Sequence, residues 1–94
     1  MVVTDGNKVN FSFFRPQAGQ VYVVGDFNGW REQAMPMART ADGHWRLRVV
    51  LPEGRFRFRY RADEEWFTDY AAFGLEPGPF GDNSIVQVHG RPPA

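Results

Sequence analysis

The sequence predicts an all-β fold of about seven short antiparallel strands, because apolar residues recur with a period of two. In residues 55–62, for example, Phe56, Phe58, Tyr60 and Ala62 alternate with four arginines. Strict alternation places one set of side chains on a buried sheet face and the other set in water. No segment keeps a helical period over ten residues. Short strands at this spacing are typical of a sandwich or a barrel.

Turn-forming residues set the limits of the expected strands. Proline, glycine, asparagine and aspartate cluster at residues 16–19, 28–29, 42–43 and 52–54. We predict strands near residues 8–15, 20–26, 35–39, 44–51, 55–62, 65–69 and 84–88. The strands at 44–51 and 55–62 are expected to form a central hairpin around the 52–54 turn. Residues 70–83 are expected to form a long ordered loop.

The bulk composition fits one small domain. Ninety-four residues are enough for one domain, and nine Phe, three Trp and three Tyr supply the large side chains that a thin core needs. Eleven basic residues balance eleven acidic ones, so we expect no nucleic-acid partner. There is no cysteine and hence no disulfide. Residues 1–94 are predicted to be a single domain, with a core at about 8–88 and a flexible tail at 89–94 that includes a frayed end at 91–94.

Targeting signals and membrane-spanning segments are not recognisable in the sequence. Met1 to Gly6 contain neither a basic region nor a long apolar run. No stretch approaches 18 consecutive apolar residues, the length that a transmembrane helix needs. We therefore expect a soluble cytoplasmic protein with no membrane partner.

Catalytic residues do not occur in a telling pattern. Asp63, Glu64 and Glu65 are adjacent on a turn, whereas glycoside hydrolysis needs two carboxylates about 5–10 Å apart across a cleft. His44 and His89 have no Ser or Asp partners at telling positions, and they make no metal-ligand spacing. The sequence therefore predicts a protein that is not an enzyme and that uses no metal or cofactor.

Three segments, taken in order, resemble one family of sugar-binding domains. They are the stretch from Val21 to Trp30 with its Gly-Asp-Phe-Asn-Gly-Trp string, the stretch from Leu51 to Asp69, and the stretch from Phe80 to Val88. Together they resemble carbohydrate-binding module family 48. That family includes the glycogen-binding domain of the AMP-activated kinase β subunit and the N-terminal domain of isoamylases and branching enzymes. Short, free-standing bacterial early-set domains are similar as well. The resemblance covers roughly residues 8–88 and implies an immunoglobulin-like (early-set) β-sandwich.

The resemblance also implies a binding site for α-glucan. In the family, an aromatic pair, a basic residue and a loop asparagine form this site, and they fall on Trp30, Trp66, Arg59 and Asn83. The basic residue is Arg here instead of the usual Lys. Residues 63–65, Asp-Glu-Glu, replace the usual Asp-Gly turn. The implied function is a non-catalytic module that binds a glycogen-like or starch-like glucan.

The three tryptophans are expected to have different roles. An indole ring covers the apolar face of a glucose ring, while amide and charged groups bond its hydroxyls. Trp30 follows Asn28-Gly29, where it either binds sugar or packs against the adjoining sheet. If Asn28-Gly29 is a plain type I′ turn, Trp30 simply begins the next element. For Trp66, binding and core burial both stay open. Trp45 is in phase with the apolar positions of its strand and is predicted to lie in the core.

A stripe of arginines leaves the function open to alternatives. Six of them are predicted to share one sheet face: Arg46, Arg48, Arg55, Arg57, Arg59 and Arg61. They either form a solvated face whose heads meet Glu32, Glu53 or Glu64, or bind a glucan or an acidic protein. Nucleic acid is a third, weaker alternative. The alternative function is a docking module of the same fold that binds a glycan-metabolising enzyme or another protein and no sugar.

Overall fold

The computed structural model describes residues 1–79 and 81–89, and these residues form two antiparallel β-sheets packed face to face. The predicted all-β, immunoglobulin-like sandwich is confirmed. The described residues contain nine strands instead of about seven: β1 Val2–Asp5, β2 Lys8–Phe14, β3 Val21–Gly25, β4 Ala38–Arg39, β5 His44–Val50, β6 Gly54–Ala62, β7 Glu65–Phe67, β8 Leu75–Gly78 and β9 Gly81–Val88.

Each sheet has its own set of strands. The first sheet has the order β1-β2-β5-β4. The second has the order β3-β6-β9-β8, and β7 extends it by pairing with the end of β6. A 3₁₀ helix at Asp26–Asn28 follows β3. The strand β6 is therefore central, because it pairs with β3 on one side and with β9 and β7 on the other.

The core lies between the sheets, where the apolar members of the alternating pattern meet. Phe11 of the first sheet contacts Phe58 of the second edge-to-face, with 5.0 Å between ring centroids. Phe13 stacks on Tyr60 at 4.6 Å. Trp45 is 5% exposed, and its indole N–H donates to the Arg15 carbonyl at 2.9 Å. The prediction that Trp45 belongs to the core is confirmed.

A buried polar contact ties the core to the segment after β7. The Tyr60 hydroxyl donates to Asp69 Oδ2 at 2.7 Å, and the Asp69 N–H donates to Ser84 Oγ at 2.6 Å. Burial raises the pKa of the Tyr60 hydroxyl, and the Asp69 carboxylate raises it further. Tyr60 therefore acts as a neutral donor that satisfies a buried carboxylate, as buried polar groups require.

The predicted central hairpin between β5 and β6 is wrong. Instead, β5 pairs with β2 and β4, whereas β6 belongs to the second sheet. The link at residues 51–53 carries the chain from one sheet to the other. A period of two indicates which side chains share a face of their own strand, but it does not identify the neighbouring strand. Two strands can thus be consecutive in sequence and lie in different sheets.

The shared arginine face is wrong for the same reason. Arg46 and Arg48 point outward from the first sheet, while four arginines point outward from the second: Arg55, Arg57, Arg59 and Arg61. The six arginines therefore divide between opposite outer faces of the sandwich.

Two strands were not predicted. β1 precedes the expected core at residues 8–88, and the expected loop at residues 70–83 contains β8 and the first part of β9. β8 contains Pro77 and lies at a sheet edge, where a missing N–H can be tolerated. Within residues 1–79 and 81–89, no helix is long and apolar enough to cross a membrane. The predicted frayed end at 91–94 lies outside the described residues, and so does most of the predicted tail at 89–94.

Candidate functional site

One hollow on the outer face of the second sheet brings together all four predicted site residues. It has a volume of about 580 Å³. We call it the tryptophan hollow, and its lining is Trp30, Arg57, Arg59, Trp66, Gly78, Pro79, Gly81 and Asn83. These residues come from the segment after β3, from β6, from β7 and from the β8–β9 hairpin. The geometry joins the four residues, while their role in binding stays a prediction.

The segment after β3 positions Trp30. Asn28 stabilises the 3₁₀ turn, because its Oδ1 accepts the Gly25 N–H at 3.1 Å and its Nδ2 donates to the Val23 carbonyl at 2.9 Å. Gly29 and Trp30 then adopt left-handed backbone with φ of 66° and 59°. Asn28 lies in the 3₁₀ helix, so Asn28-Gly29 is not a plain type I′ turn. A tryptophan in this backbone region costs on the order of 1 kcal/mol, which the surrounding contacts must offset.

Asp26 connects Trp30 to the central strand. Its Oδ1 accepts the Trp30 indole N–H at 2.9 Å, and its Oδ2 accepts the Arg57 backbone N–H at 2.8 Å and the Arg57 Nε at 3.1 Å. Burial pushes the pKa of the Asp26 carboxyl upward, but these hydrogen bonds outweigh burial and hold the pKa below its ordinary value. The ring of Trp30 is therefore fixed against β6. It is half-buried and lines the hollow, so packing and exposure are combined in one residue.

Trp66 is the more open of the two indoles. It is 37% exposed and lies opposite Arg61 in the β6–β7 pairing. The Arg61 guanidinium lies 4.9 Å from the centroid of the indole ring, and the Arg59 guanidinium lies 5.7 Å away. Cations over an indole ring are attracted by its negative face. Trp66 is therefore outside the core and is held in place by two arginines.

Two glycines of the β8–β9 hairpin lie against the polar side chains of the hollow. A Cβ atom at Gly78 would lie 2.8 Å from Asn83 Nδ2. Gly81 has φ of 118°, and a Cβ atom there would lie 3.5 Å from the Arg59 guanidinium. A side chain at Gly78 would therefore displace the Asn83 amide, whereas Gly81 is favoured by its positive φ. Both glycines line the hollow together with Asn83 and Arg59.

Several other arginines meet acidic partners. Arg57 pairs with Asp26, Arg61 Nε lies 3.3 Å from Glu32, and Arg55 lies 3.6 Å from Glu76. The expectation that an arginine head meets Glu32 is confirmed for Arg61. The Arg55–Glu76 pair is exposed and contributes little stability, whereas all three pairs restrict where each guanidinium lies.

Sequence reasoning did not predict the roles of Asp26 and Arg57. Both carried a usable signal. Asp26 belongs to the Gly-Asp-Phe-Asn-Gly-Trp string, four residues before Trp30, and Arg57 is two residues from Arg59 and hence on the same face of β6. Within residues 1–79 and 81–89, no group of three or more His, Asp or Glu side chains could hold a metal ion.

Comparison with known proteins assigns the family. The family model of carbohydrate-binding module 48, the isoamylase N-terminal domain, matches residues 1–79. The chain belongs to this family. The matched segment of this carbohydrate-binding module includes Trp30, Arg59 and Trp66 and ends before Asn83.

Curated relatives of this carbohydrate-binding module are 1,4-alpha-glucan branching enzymes. The chain is 39% identical over 71 residues to the enzyme from Salinibacter ruber, covering 71% of this chain and 11% of the enzyme. It is 35% identical over 83 residues to the enzyme from Lactobacillus acidophilus, covering 83% of this chain and 13% of the enzyme. The chain therefore spans between a tenth and a seventh of the length of these relatives.

Proposed function

We propose that this carbohydrate-binding module binds α-glucan of the glycogen or starch type in the tryptophan hollow and catalyses no reaction. One observation carries the proposal: two indoles, a guanidinium and an amide from separate segments line the same open hollow. Its lining among the described residues contains no carboxylate, whereas glycoside hydrolysis uses two.

The chemistry of a glucose ring fits these groups. Its C–H bonds form an apolar face that stacks on an indole, and its hydroxyls lie at the rim. Trp66, at 37% exposed, offers ring surface for such stacking. Arg59 supplies donors only, whereas Asn83 supplies both a donor and an acceptor, so together they match hydroxyls in either role. Two indoles at different places in one hollow suit a curved chain better than a flat one.

The relatives support the choice of glucan. They are named for 1,4-alpha-glucan, and family membership rests on a match that includes both tryptophans. A chain of α-1,4-linked glucose is therefore the ligand with which to test the hollow first.

Tryptophan fluorescence titrated with maltoheptaose tests the proposal. An open hollow gains from stacking and from a few hydrogen bonds that compete with water, so we expect a Kd of roughly 10 μM to 1 mM. A β-linked cello-oligosaccharide of similar length serves as the control, because its extended shape does not follow the two indoles. A flat titration at millimolar maltoheptaose would contradict the proposal.

A protein-docking function is the second candidate, and a different surface favours it. The outer face of the first sheet exposes Val3, Phe14 and Val50 by 53%, 59% and 66% beside Arg46 and Arg48. Apolar side chains beside two arginines suit a partner that combines apolar and acidic side chains. A domain that binds no maltoheptaose, yet loses a protein partner on Arg48→Glu substitution, would favour docking over sugar binding.

A further inference from the structure

A second hollow lies next to the tryptophan hollow on the outer side of the second sheet. It has a volume of about 480 Å³. We call it the polar hollow, and the side chains that matter below are Gln20, Tyr22, Glu32, Gln33, Arg61 and Glu64. The family resemblance assigns none of these residues to a sugar site.

The two hollows share a wall. Arg61 lines the polar hollow, and its guanidinium covers the ring of Trp66, which lines the tryptophan hollow. Tyr22, Arg61 and Trp66 are Cα partners in one row across β3, β6 and β7. Two strand spacings of about 4.8 Å separate the ends of that row, so the Tyr22 and Trp66 backbones lie about 10 Å apart. A ligand that passes over Trp66 reaches the polar hollow next.

The side chains of the polar hollow suit a sugar. Tyr22 supplies an aromatic ring that is half-buried. Gln20 and Gln33 supply amides, which both donate and accept, while the carboxylates of Glu32 and Glu64 accept only. Arg61 lies 3.3 Å from Glu32 and partly balances the carboxylates of the hollow, which include Asp63. The excess of carboxylates disfavours an anion, whereas the amides and acceptors can bond the hydroxyls of a neutral sugar.

The backbone at Glu64 adds a second argument. Asp63 and Glu64 both have positive φ, at 47° and 72°, a region that glycine adopts without strain. The Asp63 carboxylate accepts the N–H groups of Gly19 and Gln20 at 2.9 and 3.0 Å, which gives that side chain a structural role. Glu64 is exposed and lines the polar hollow. Its strained backbone therefore places a carboxylate where glycine would form the turn more easily.

From these observations we infer that the polar hollow is a second subsite, which takes further glucose units of a longer α-glucan. This inference rests on the proposed function of the tryptophan hollow. A short malto-oligosaccharide occupies only the tryptophan hollow. A longer chain continues over the Arg61–Trp66 pair, and its hydroxyls bond Glu64, Gln33 and Gln20.

Glu64→Gly separates a sugar contact from a structural role. We expect this variant to bind maltoheptaose about three- to tenfold more weakly than the native chain, because a charge-assisted hydrogen bond is lost. Its affinity for maltotriose should be unchanged. Its thermal midpoint should stay level or rise, since glycine relieves the positive φ. A residue with only a structural role would instead lower the midpoint and both affinities together.

Gln33→Ala and Glu53→Ala complete the experiment. Gln33 is exposed and lines the polar hollow, so its truncation should also weaken maltoheptaose selectively. Glu53 is an exposed acid in the link between the sheets and lines neither hollow, so Glu53→Ala should change neither affinity.

The outcomes distinguish the two proposals. Suppose that the native chain binds both sugars and that every variant keeps the native ratio between the Kd for maltotriose and the Kd for maltoheptaose. The polar hollow is then not a subsite. In that case the tryptophan hollow still stands as the glucan site. If the native chain binds neither sugar, the proposed function itself fails, and the second subsite fails with it.

Discussion

The two outer faces of the sandwich share a pattern of arginines that alternate with apolar residues, but they form different surfaces. Arg46 and Arg48 alternate along β5 on the first sheet, as Arg57 and Arg59 do along β6 on the second. On the second sheet these side chains form part of a hollow of about 580 Å³ with two indoles. A row of arginines therefore has little meaning by itself, and the neighbouring segments decide what it can bind.

The neighbours of the two strands differ in what they bring. Beside β5, the Cα partners of the arginines are Ser12, Asn10 and Ala38, which have short side chains. Arg46 and Arg48 line a smaller hollow there, with a volume of about 380 Å³. Arg48 Nε bonds Asn10 Oδ1 there at 3.0 Å. Beside β6, in contrast, β7 supplies Trp66, and the turn after β3 supplies Trp30. Among the described residues, the hollow of the second face is therefore larger and is lined by two indoles, whereas the hollow beside Arg46 and Arg48 has none.

The largest effect on stability is expected from a tryptophan that packs between the two sheets. Trp45→Ala should lower the free energy of unfolding by about 3–5 kcal/mol, because it leaves a cavity between the sheets. Trp66→Ala should cost under about 1 kcal/mol, since that ring is 37% exposed. Urea denaturation of both variants gives the comparison. Equal losses would mean that Trp66 is part of the structural core, and that the second face has no free indole.

Asp26→Asn tests whether the second face depends on the half-buried carboxylate that bonds Trp30 and Arg57. Loss of the carboxylate that accepts from Trp30 and Arg57 should lower the free energy of unfolding by about 1–3 kcal/mol at pH 7. Because hydrogen bonds hold the folded pKa of Asp26 below that of an unfolded aspartate, its contribution is fully present above about pH 4, the unfolded pKa. The contribution is lost as the pH falls through the folded pKa.

The difference in free energy of unfolding between the native chain and the Asp26→Asn variant should therefore be largest near neutral pH and smaller at pH 3. Denaturation at pH 7 and pH 3 measures it. A difference that stays constant between the two pH values would mean that the Asp26 charge does not hold Trp30 and Arg57 in place.

The sequence was a good guide to faces and a poor guide to partners. Alternation along β6 identified its buried and exposed sides, and the Gly-Asp-Phe-Asn-Gly-Trp string located one wall of the hollow. Pairing between β5 and β6 was inferred from a short link alone. Only the packing of the whole chain determines whether such a link closes a hairpin or crosses to the other sheet.

The parts of the site that the sequence did not predict depend on contacts between residues that are far apart in the chain. Asp26 bonds Arg57 over 31 positions of sequence, so the local pattern around each residue indicates its own position but not the contact between them. Gly78 and Gly81 looked like loop breakers, whereas they lie in β8 and β9, where Gly78 makes room for the Asn83 amide and Gly81 has a positive φ. The polar hollow likewise joins β3, the turn after β6 and residues 32–33, which no single motif contains.

The most direct test of the comparison is a matched pair of variants, Arg59→Ala and Arg48→Ala, titrated with maltoheptaose at low and high salt. We expect Arg59→Ala to weaken binding by about 1–2 kcal/mol through the loss of hydrogen bonds, with Arg48→Ala unchanged. Binding by the native chain should hardly change between about 50 and 300 mM salt, because the ligand is neutral and screening acts on charge pairs. Equal losses in both variants, or an affinity that falls steeply with salt, would contradict glucan binding on the outer face of the second sheet.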